Sequence, residues 1–295
     1  MAQYEILELY PTNKCQLRCL GCYLNQNNEE WSFDDAQRIL DSGIFERVDK
    51  EVNILGGEPT TWEYLLDLVQ SIRDKNKTVK ISITTNAVRL TTDKKYFKNF
   101  IDCCVSNKVM VNVSWHSDVR IVPALQALKK YKILNCLIFV PNTFAELDRL
   151  ESEYKKLSSF CKCYWRPFIS LNNDYPVFDK KITEFLLKQS SKTIQSNKRV
   201  VNKKLENNVS LVQRNNEDKN FYKTYECKCG KNGVLFTDGK LYHCLSQALQ
   251  HEKPISLQNV KEIKWRRCNY DYCCCDTFEL RNKKDVDATR GVLAL

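Results

Sequence analysis

The sequence predicts an α/β protein in which strands and helices alternate, and three observations predict this class. Short apolar runs alternate with amphipathic stretches six times, which indicates repeated strand–helix units. The runs are apolar throughout, as parallel strands buried on both faces tend to be. The conspicuous polar motifs directly follow the predicted strands. Right-handed βαβ repeats form an open doubly wound sheet or a barrel, and six units fit a partial barrel at least as well as an open sheet.

The six units follow one another in order along the chain. The strands are predicted at YEILELY, EVNILGG, VKISITTN, VMVNVSWH, CLIFVP and CYWRPFIS. The helices that follow them are predicted at SFDDAQRILDSGIF, TTWEYLLDLVQSIRDKN, residues 94–104, IVPALQALKKY, FAELDRLESEYKKLSSF and VFDKKITEFLLKQ. Ser32 with Asp35 three residues later is typical of a capping box at a helix start. The apolar residues of the second helix form a stripe at helical spacing: Leu65, Leu66, Leu68, Val69 and Ile72.

The composition changes after about Asn208, which predicts a second, smaller unit. A polar stretch, VQRNNEDKN, leads into a cysteine-rich tail. We place a boundary near residue 215, so that residues 1–215 form the strand–helix domain and residues 216–295 a small cysteine-rich C-terminal domain. Asp238-Gly239 between VLFT and KLYHC is a strong signal for a hairpin turn.

Bulk properties exclude some classes of protein. No apolar run reaches the roughly 18 residues of a membrane span, and MAQYEILELYP lacks the plan of a signal peptide. We therefore expect a cytosolic protein with no membrane partner. The net charge is +10, and much of the excess lies in residues 180–204. We interpret that stretch as a solvated helix face and linker; the alternative is a surface for an anionic partner such as RNA, an acidic peptide or a phosphorylated substrate.

The chain contains 15 cysteines, which cluster near both ends. In a reducing compartment such clusters more often bind metal or perform chemistry than form disulfides. Five others lie within apolar segments, where packing is the expected role: Cys103, Cys104, Cys136, Cys161 and Cys163.

Three cysteines follow the first strand in CQLRCLGCY, at Cys15, Cys19 and Cys22. Four thiolates close a zinc site or an iron–sulfur cluster, whereas three leave one coordination position open. The open position could hold a catalytic water on zinc, or a substrate or cofactor on one iron of a four-iron cluster. Half of a zinc site and chance clustering are the other interpretations of the triplet alone.

Further motifs end the next three strands. The second strand ends in ILGGEP, residues 54–59, where two glycines let the backbone approach a ligand closely and proline stiffens the turn. The third ends in TTN and the fourth in NVSWHS. Small hydroxyls and amides at strand ends suit a ribose or an amino-acid moiety. In both candidate folds, chemistry gathers at these carboxyl ends.

CQLRCLGCY followed about 35 residues later by GGEP resembles the radical S-adenosylmethionine superfamily over roughly residues 4–170. The resemblance implies a partial (β/α)6 TIM-like barrel and a catalytic 4Fe-4S cluster held by Cys15, Cys19 and Cys22. It also implies that the amino and carboxylate groups of S-adenosylmethionine bind the fourth iron. A low-potential electron donor such as flavodoxin or ferredoxin is the implied redox partner.

The same resemblance assigns cofactor-binding positions. Gly56, Gly57 and Glu58 match the segment that holds the amino group of S-adenosylmethionine, largely by backbone. Asn86 and Ser114 stand where the family contacts ribose or carboxylate. The residue before the third cysteine is often aromatic and near the adenine, but here it is Gly21, so Tyr23 is the candidate to replace it.

The tail is similar to the SPASM and twitch extensions of the same superfamily. Nine residues separate Cys229 from Gly239, and four more lead to Cys244, as in their C-x(9–15)-G-x4-C opening. The closing pattern of the double-cluster type is missing, so one auxiliary 4Fe-4S cluster is favoured over two. Cys229, Cys244, Cys268 and Cys275 are the candidate ligands. One of Cys227, Cys273 and Cys274 is a candidate hydrogen donor to a substrate radical, and a structural zinc ribbon is the alternative.

The resulting functional prediction is an enzyme that cleaves S-adenosylmethionine reductively and abstracts hydrogen from a substrate carbon. We favour peptide modification, by maturation or epimerisation, because such tails commonly accompany work on peptides. The chain begins almost at its first strand, so we expect no N-terminal peptide-binding domain, which weakens that preference. Dehydrogenation or epimerisation of a sugar or cyclitol is the alternative. A non-catalytic zinc or nucleic-acid-binding protein is the rival class, but it leaves GGEP at a strand end unexplained.

Overall fold

Six strand–helix units form the body of the protein, as the sequence predicts. The computed structural model describes residues 4–19, 22, 24, 27–116, 120–141, 144–166, 180–188, 196–201, 204–210, 225–227, 232–250, 252–257, 266–267 and 280–282. The six strands of the units are β1 (Tyr4–Leu9), β2 (Val48–Ile54), β3 (Lys80–Thr85), β4 (Val109–Trp115), β5 (Leu134–Phe139) and β6 (Cys163–Trp165). The helices that follow them are α1 (Phe33–Asp41), α2 (Leu65–Lys75), α3 (Val88–Thr92), α4 (Lys94–Ser106), α5 (Val122–Lys130), α6 (Leu147–Ser158) and α7 (Lys180–Lys188).

The strands β1 to β6 lie side by side in chain order, and each pairs in parallel with the next. This arrangement confirms the predicted α/β class with its partial, open barrel-like sheet. Ordered parallel neighbours require a helical crossover after every strand, which the alternating sequence supplies. The crossovers also place the carboxyl ends of all six strands at one edge of the sheet.

The hydrophobic core lies between the sheet and its helices. Alternate residues of β4 face this core, because side chains of a strand point to opposite faces in turn: Val109, Val111 and Val113 are fully buried. Leu65, Leu68, Val69 and Ile72 of α2 are buried against the same core, as the predicted stripe requires. The capping box of α1 is present, since the Ser32 side chain accepts from Asp35 N and the Asp35 side chain accepts from Ser32 N.

The cysteine-rich tail adds two strands to the same sheet. Strand β10 (Asn232–Leu235) pairs in parallel with β1, and β11 (Leu241–Tyr242) pairs antiparallel with β10. Within the described parts of the chain, the sheet therefore has eight strands in the order β11-β10-β1-β2-β3-β4-β5-β6. The predicted turn at Asp238-Gly239 joins β10 to β11, and Gly239 has a φ of +67°, which favours glycine. The short helix α8 (Leu245–Leu249) follows β11.

The remaining described segments form two smaller sheets. Strands β7 (Ser196–Val201) and β8 (Lys204–Ser210) pair antiparallel. The basic stretch 180–204, interpreted as a helix face and linker, thus contains the helix α7, with β7 in the part expected to be a linker. Strand β9 (Tyr225–Cys227) pairs with β12 (Arg266–Arg267) and β13 (Leu280–Asn282). The predicted boundary near residue 215 lies outside the described residues, and the division into 1–215 and 216–295 stays a prediction.

A search for bilayer-spanning helices among the described residues found none of sufficient length and apolar character.

Candidate cofactor site

The motifs that follow β1, β2 and β3 meet at the carboxyl edge of the sheet. The loop after β1 folds back on itself: Asn13 N donates to Glu29 O over 2.8 Å, and Lys14 Nζ lies 2.6 Å from Glu30 Oε1. Within the loop, Cys22 N donates to Cys19 O over 3.2 Å. All three cysteines of the triplet are half-buried. The described residues of the loop therefore form a folded arrangement, with the three thiols partly open to a ligand.

The two glycines of GGEP pack directly against this loop. Gly57 N donates to Thr12 O and Glu58 N to Lys14 O, both over 2.7 Å. A Cβ atom on Gly57 would lie 2.4 Å from Lys14 O, and one on Gly56 would lie 2.6 Å from Thr12 O. Glycine is required here because the backbone of the cysteine loop takes the space of a side chain. The sequence interpretation attributed the same requirement to a ligand; cofactor binding by Gly56, Gly57 and Glu58 stays a prediction.

Glu58 joins the ends of β2 and β3. Its carboxylate is buried and accepts hydrogen bonds from Thr60 Oγ1 at 2.6 Å, Thr85 Oγ1 at 2.6 Å, Asn86 N at 2.7 Å and Thr60 N at 3.1 Å. Burial raises the pKa of Glu58, and the hydrogen bonds oppose that rise. Because protein donors bind both oxygens, the Glu58 side chain positions Thr60, Thr85 and Asn86 around the end of β2.

Two side chains at strand ends contact the cysteine sulfurs. Asn86 Nδ2, just after β3, lies 3.6 Å from Cys15 Sγ. His116 Nδ1, just after β4, lies 3.7 Å from Cys19 Sγ. Leu17 N also donates to Cys15 Sγ over 3.4 Å. The sequence interpretation assigned Asn86 to the cofactor but gave His116 no role, although NVSWHS placed it at a strand end beside Ser114.

The hairpin of the tail braces the cysteine loop from the other side. Asn13 Nδ2 donates to Thr237 Oγ1 over 3.3 Å in a buried contact, and Tyr10 N donates to Leu235 O over 2.8 Å. Trp31 Nε1 donates to Phe236 O over 2.5 Å. Cys22 packs against an apolar cluster that includes Tyr10, Leu24, Val234, Phe236, Tyr242 and Leu245. Sequence reasoning missed this brace because its partners lie more than 200 residues apart.

The sheet face opposite the helix-covered core carries polar side chains. Asn112 Nδ2 donates to Thr84 Oγ1 over 3.3 Å, and Asn135 Nδ2 donates to Asn112 Oδ1 over 2.7 Å. Ser82 Oγ donates to Asn53 Oδ1 on the neighbouring strand. Ser114 lies on this face of β4, two residues beyond Asn112, and is half-buried. An amide- and hydroxyl-lined surface thus runs toward the edge that holds the cysteines.

Of the other predicted site residues, only Cys227 and Cys244 lie among the described residues. Cys244 is buried and precedes α8, next to the apolar cluster that contains Cys22. Cys227 ends β9, whose backbone alone is described. The remaining candidates lie outside the described residues: Tyr23, Cys229, Cys268, Cys273, Cys274 and Cys275.

Residues 9–119 match the family model of the Radical SAM superfamily. This part of the chain resembles a radical SAM domain. The match runs from the end of β1 past β4 and so includes the three cysteines, GGEP, Asn86 and His116. A radical SAM domain implies S-adenosylmethionine and a 4Fe-4S cluster as cofactors.

Curated relatives share part of the radical SAM domain. GTP 3′,8-cyclase of Paenarthrobacter nicotinovorans is 32% identical over 91 residues, which are 28% of this chain and 25% of the relative. Probable GTP 3′,8-cyclase of Methanococcus maripaludis is 34% identical over 117 residues, which are 38% of this chain and 36% of the relative. The chain thus spans between a quarter and just over a third of the length of these relatives.

A solved structure described as native anSMEcpe with bound AdoMet and Cp18Cys peptide has the same fold. Its TM-score is 0.57, at 17% identity over 86% of this chain and 78% of that chain. The likeness therefore extends well beyond the radical SAM domain and bears on the fold alone.

The residues present fit a multi-iron cluster. Burial raises the pKa of Cys15 to about 11 and also raises that of Cys19, and repulsion between neighbouring thiolates adds to both shifts. Three adjacent thiolates therefore need positive charge among them, which iron supplies. Among the described residues, no three His, Cys, Asp or Glu side chains converge on the position of a single metal ion.

Proposed function

We propose that the chain is a radical S-adenosylmethionine enzyme that abstracts a hydrogen atom from a carbon of its substrate. One observation carries the proposal: the backbone and side chains after β1, β2 and β3 are joined at one edge. Gly57 N donates to Thr12 O, and Asn86 N donates to Glu58 Oε2. Asn86 Nδ2 in turn donates to Cys15 Sγ. A zinc or nucleic-acid module would not require this circuit of contacts.

Cys15, Cys19 and Cys22 would hold the cluster as thiolates. When bound, the reduced cluster supplies one electron that breaks the 5′ carbon–sulfur bond of S-adenosylmethionine, giving methionine and a radical that becomes 5′-deoxyadenosine by taking substrate hydrogen. Flavodoxin or ferredoxin would be the electron donor. Asn86 and His116 would orient the sulfurs by hydrogen bonds, and the carbonyl groups of GGEP would accept from the amino group of the cofactor.

A peptide is the substrate class that we propose. The surface of Asn53, Thr84, Asn112 and Asn135 offers both donors and acceptors, as peptide groups do. The solved structure with the same fold was determined with a peptide. A sugar or cyclitol offers hydroxyls to the same surface and is the second candidate. GTP is a third compound to test, because the curated relatives are GTP 3′,8-cyclases.

The tail would hold an auxiliary 4Fe-4S cluster on Cys229, Cys244, Cys268 and Cys275, with Cys227, Cys273 or Cys274 as hydrogen donor. Support comes from Cys244, which the hairpin brings to the braced side of the cysteine loop. A thiol near the substrate can return a hydrogen atom to a carbon radical.

The experiment is anaerobic incubation of reconstituted protein with S-adenosylmethionine and dithionite, followed by quantification of 5′-deoxyadenosine. We expect turnover by the parent, none by the triple variant Cys15→Ala, Cys19→Ala, Cys22→Ala, and parental turnover by Cys103→Ala, a half-buried cysteine outside the site. Equal turnover by the triple variant would refute the cluster assignment. Mass spectrometry after addition of peptide pools, sugars or GTP then identifies the substrate class by what changes.

A further inference from the structure

The three sulfurs of the cysteine loop have different surroundings. Cys15 Sγ accepts from Leu17 N over 3.4 Å and lies 3.6 Å from Asn86 Nδ2. Cys22 packs against the apolar cluster that joins the loop to the hairpin of the tail. The sulfur of Cys19 instead faces an imidazole ring. The loop therefore offers hydrogen-bond donors to two of its sulfurs and apolar contact to the third.

The imidazole beside Cys19 belongs to His116. Its Nδ1 lies 3.7 Å from Cys19 Sγ. A thiolate that is bound to iron has lone pairs but no hydrogen, so it can only accept a hydrogen bond. Nδ1 must therefore carry the proton and donate when Cys19 serves as a ligand. Both residues are half-buried, and a hydrogen bond that is partly shielded from water is electrostatically stronger than one in water.

The end of β4 holds this ring in position. Trp115, the last residue of β4, is buried in the core, where its ring packs on Phe139 with 5.8 Å between centroids. Its indole N–H donates to the Glu153 carboxylate. Because side chains alternate along a strand, the anchored Trp115 directs the next residue, His116, to the opposite face, where Cys19 lies. The sheet thus fixes the distance between the ring and the sulfur.

We infer that His116 is a positioning residue that raises the reduction potential of the cluster proposed on Cys15, Cys19 and Cys22, an inference that rests on the proposed function. Reduction adds one electron, and part of its negative charge resides on the cysteine sulfurs. The N–H of His116 stabilises a sulfur more strongly when that sulfur carries more negative charge, so the hydrogen bond favours the reduced state. One electron passes from flavodoxin or ferredoxin, and no covalent bond or proton is exchanged.

His116 is the donor whose effect can be measured by itself. Asn86 also donates to a sulfur, but it is a proposed contact of S-adenosylmethionine, so its substitution would combine two effects. Leu17 donates through its backbone, which a substitution leaves in place. A change at His116 therefore isolates one side-chain hydrogen bond to a cluster ligand.

Two variants of His116 separate its N–H from its ring. His116→Phe keeps a ring but has no N–H. His116→Asn loses the ring but keeps an N–H donor, because Asn Nδ2 is as many bonds from Cβ as His Nδ1. Met110→Leu is the control, since it conserves volume on the polar face of β4 near the start of the strand, away from the cysteine loop.

The test is an anaerobic potentiometric titration of each reconstituted full-length protein without S-adenosylmethionine, in which EPR follows the reduced cluster. The signal that is missing from the triple variant Cys15→Ala, Cys19→Ala, Cys22→Ala identifies the cluster of interest. We expect His116→Phe to have a reduced-to-oxidised ratio about tenfold lower at a fixed potential, which is a midpoint lower by about 59 mV for one electron. His116→Asn should recover most of this difference, and Met110→Leu should keep the parental midpoint. Iron content should be parental throughout.

Three results would overturn the inference. A parental midpoint in His116→Phe would show that the hydrogen bond does not act on the potential. An equal drop in His116→Phe and His116→Asn would assign the effect to the bulk of the ring. Loss of iron from both His116→Phe and His116→Leu would make His116 necessary for holding the cluster instead of for its potential. Absence of the signal from the parent would refute the proposed function itself, so the two failures are distinguishable.

Discussion

Gly57 shows how backbone packing at a single residue positions the candidate cofactor loop. Its amide donates to Thr12 O, and its missing side chain leaves room for Asn13 O and Lys14 O. The motif GGEP could be identified from the sequence, but the reason for its second glycine could not. That reason is a contact with backbone more than 40 residues earlier, which has no local signature.

Gly57→Ala should therefore damage the loop itself. The added methyl would overlap Lys14 O and Asn13 O, so we expect a loss of about 1–3 kcal/mol in the free energy of unfolding and poor retention of reconstituted iron. Urea denaturation and iron content measure the two effects. Gly43→Ala is the control: its φ of +68° strains alanine as well, but its Cβ would meet only Glu46 Oε2, at 3.9 Å, so this variant should lose stability and keep the parental iron content. Parental iron content and stability in Gly57→Ala would contradict a role of Gly57 in positioning the cysteine loop.

Glu58 should influence stability through both hydrogen bonding and pH. Glu58→Gln leaves a single side-chain oxygen for the hydrogen-bond donors that share two carboxylate oxygens in the parent. We therefore expect the free energy of unfolding to fall by about 1–3 kcal/mol at neutral pH. The matched control is Glu63→Gln at a neighbouring residue outside the circuit of contacts. Urea denaturation of both variants gives the difference.

The pH dependence has a defined sign. Burial raises the folded-state pKa of Glu58 above its ordinary value of 4.5, so the folded state holds the proton more tightly than the unfolded state. The resulting contribution to stability is fully present below pH 4.5 and is lost as pH rises through the folded-state pKa. Between pH 4.5 and the folded-state pKa, the free energy of unfolding should fall less steeply with pH in Glu58→Gln than in the parent. Identical slopes would count against a raised pKa of Glu58.

At the scale of elements, the sequence predicts the β10–β11 hairpin of the tail but not the pairing of β10 with β1. Asp238-Gly239 indicates a turn because glycine tolerates a positive φ, and this is a local property. The pairing of β10 with β1 depends instead on the match of Tyr10, Val234 and Phe236 in a shared apolar cluster. Apolar strands pair in many registers, so composition alone does not select the partner.

Thr237→Val tests whether the hairpin braces the cysteine loop. Valine keeps the shape but removes the oxygen that accepts from Asn13 Nδ2, which retains Asn27 Oδ1 as a partner, so we expect a cost of about 0.5–1.5 kcal/mol. We expect faster release of iron from the reconstituted protein to a chelator. Thr92→Val, an exposed threonine on α3, should release iron at the parental rate. Equal rates for both variants would show that the hairpin does not act on the loop.

At the scale of the whole molecule, the sequence predicts the six strand–helix units in order, because apolar runs and helical stripes are local patterns. It also predicts which motifs lie at the carboxyl edge, because parallel strands require it. It does not predict the contacts of His116 with Cys19 or of Glu58 with Thr85, since these depend on the side-chain geometry between neighbouring strand ends. In the basic stretch, the sequence indicates the helix α7 but not the strand β7, because SNKRVV is too polar to be predicted as a strand.

Iron content tests the two-cluster organisation of the whole chain. If Cys229 and Cys244 share an auxiliary cluster, the triple alanine variant of Cys15, Cys19 and Cys22 should retain about four irons per chain, or about eight if the tail holds two clusters. Anaerobic reconstitution followed by iron and zinc analysis measures this. Zinc without iron in the triple variant would make the tail a structural ribbon with no redox role.

The pairing of β10 with β1 determines when during synthesis the cysteine loop can close. Ile6 stands opposite Asn232, so the first strand leaves the ribosome long before its neighbour exists. At ordinary translation speeds this interval is roughly 10–45 s. During that time Asn13 has no Thr237 to bind, and Cys22 has no apolar cluster to pack against. The proposed cluster ligands Cys15, Cys19 and Cys22 therefore lack the support of the tail until β10 and β11 have been synthesised.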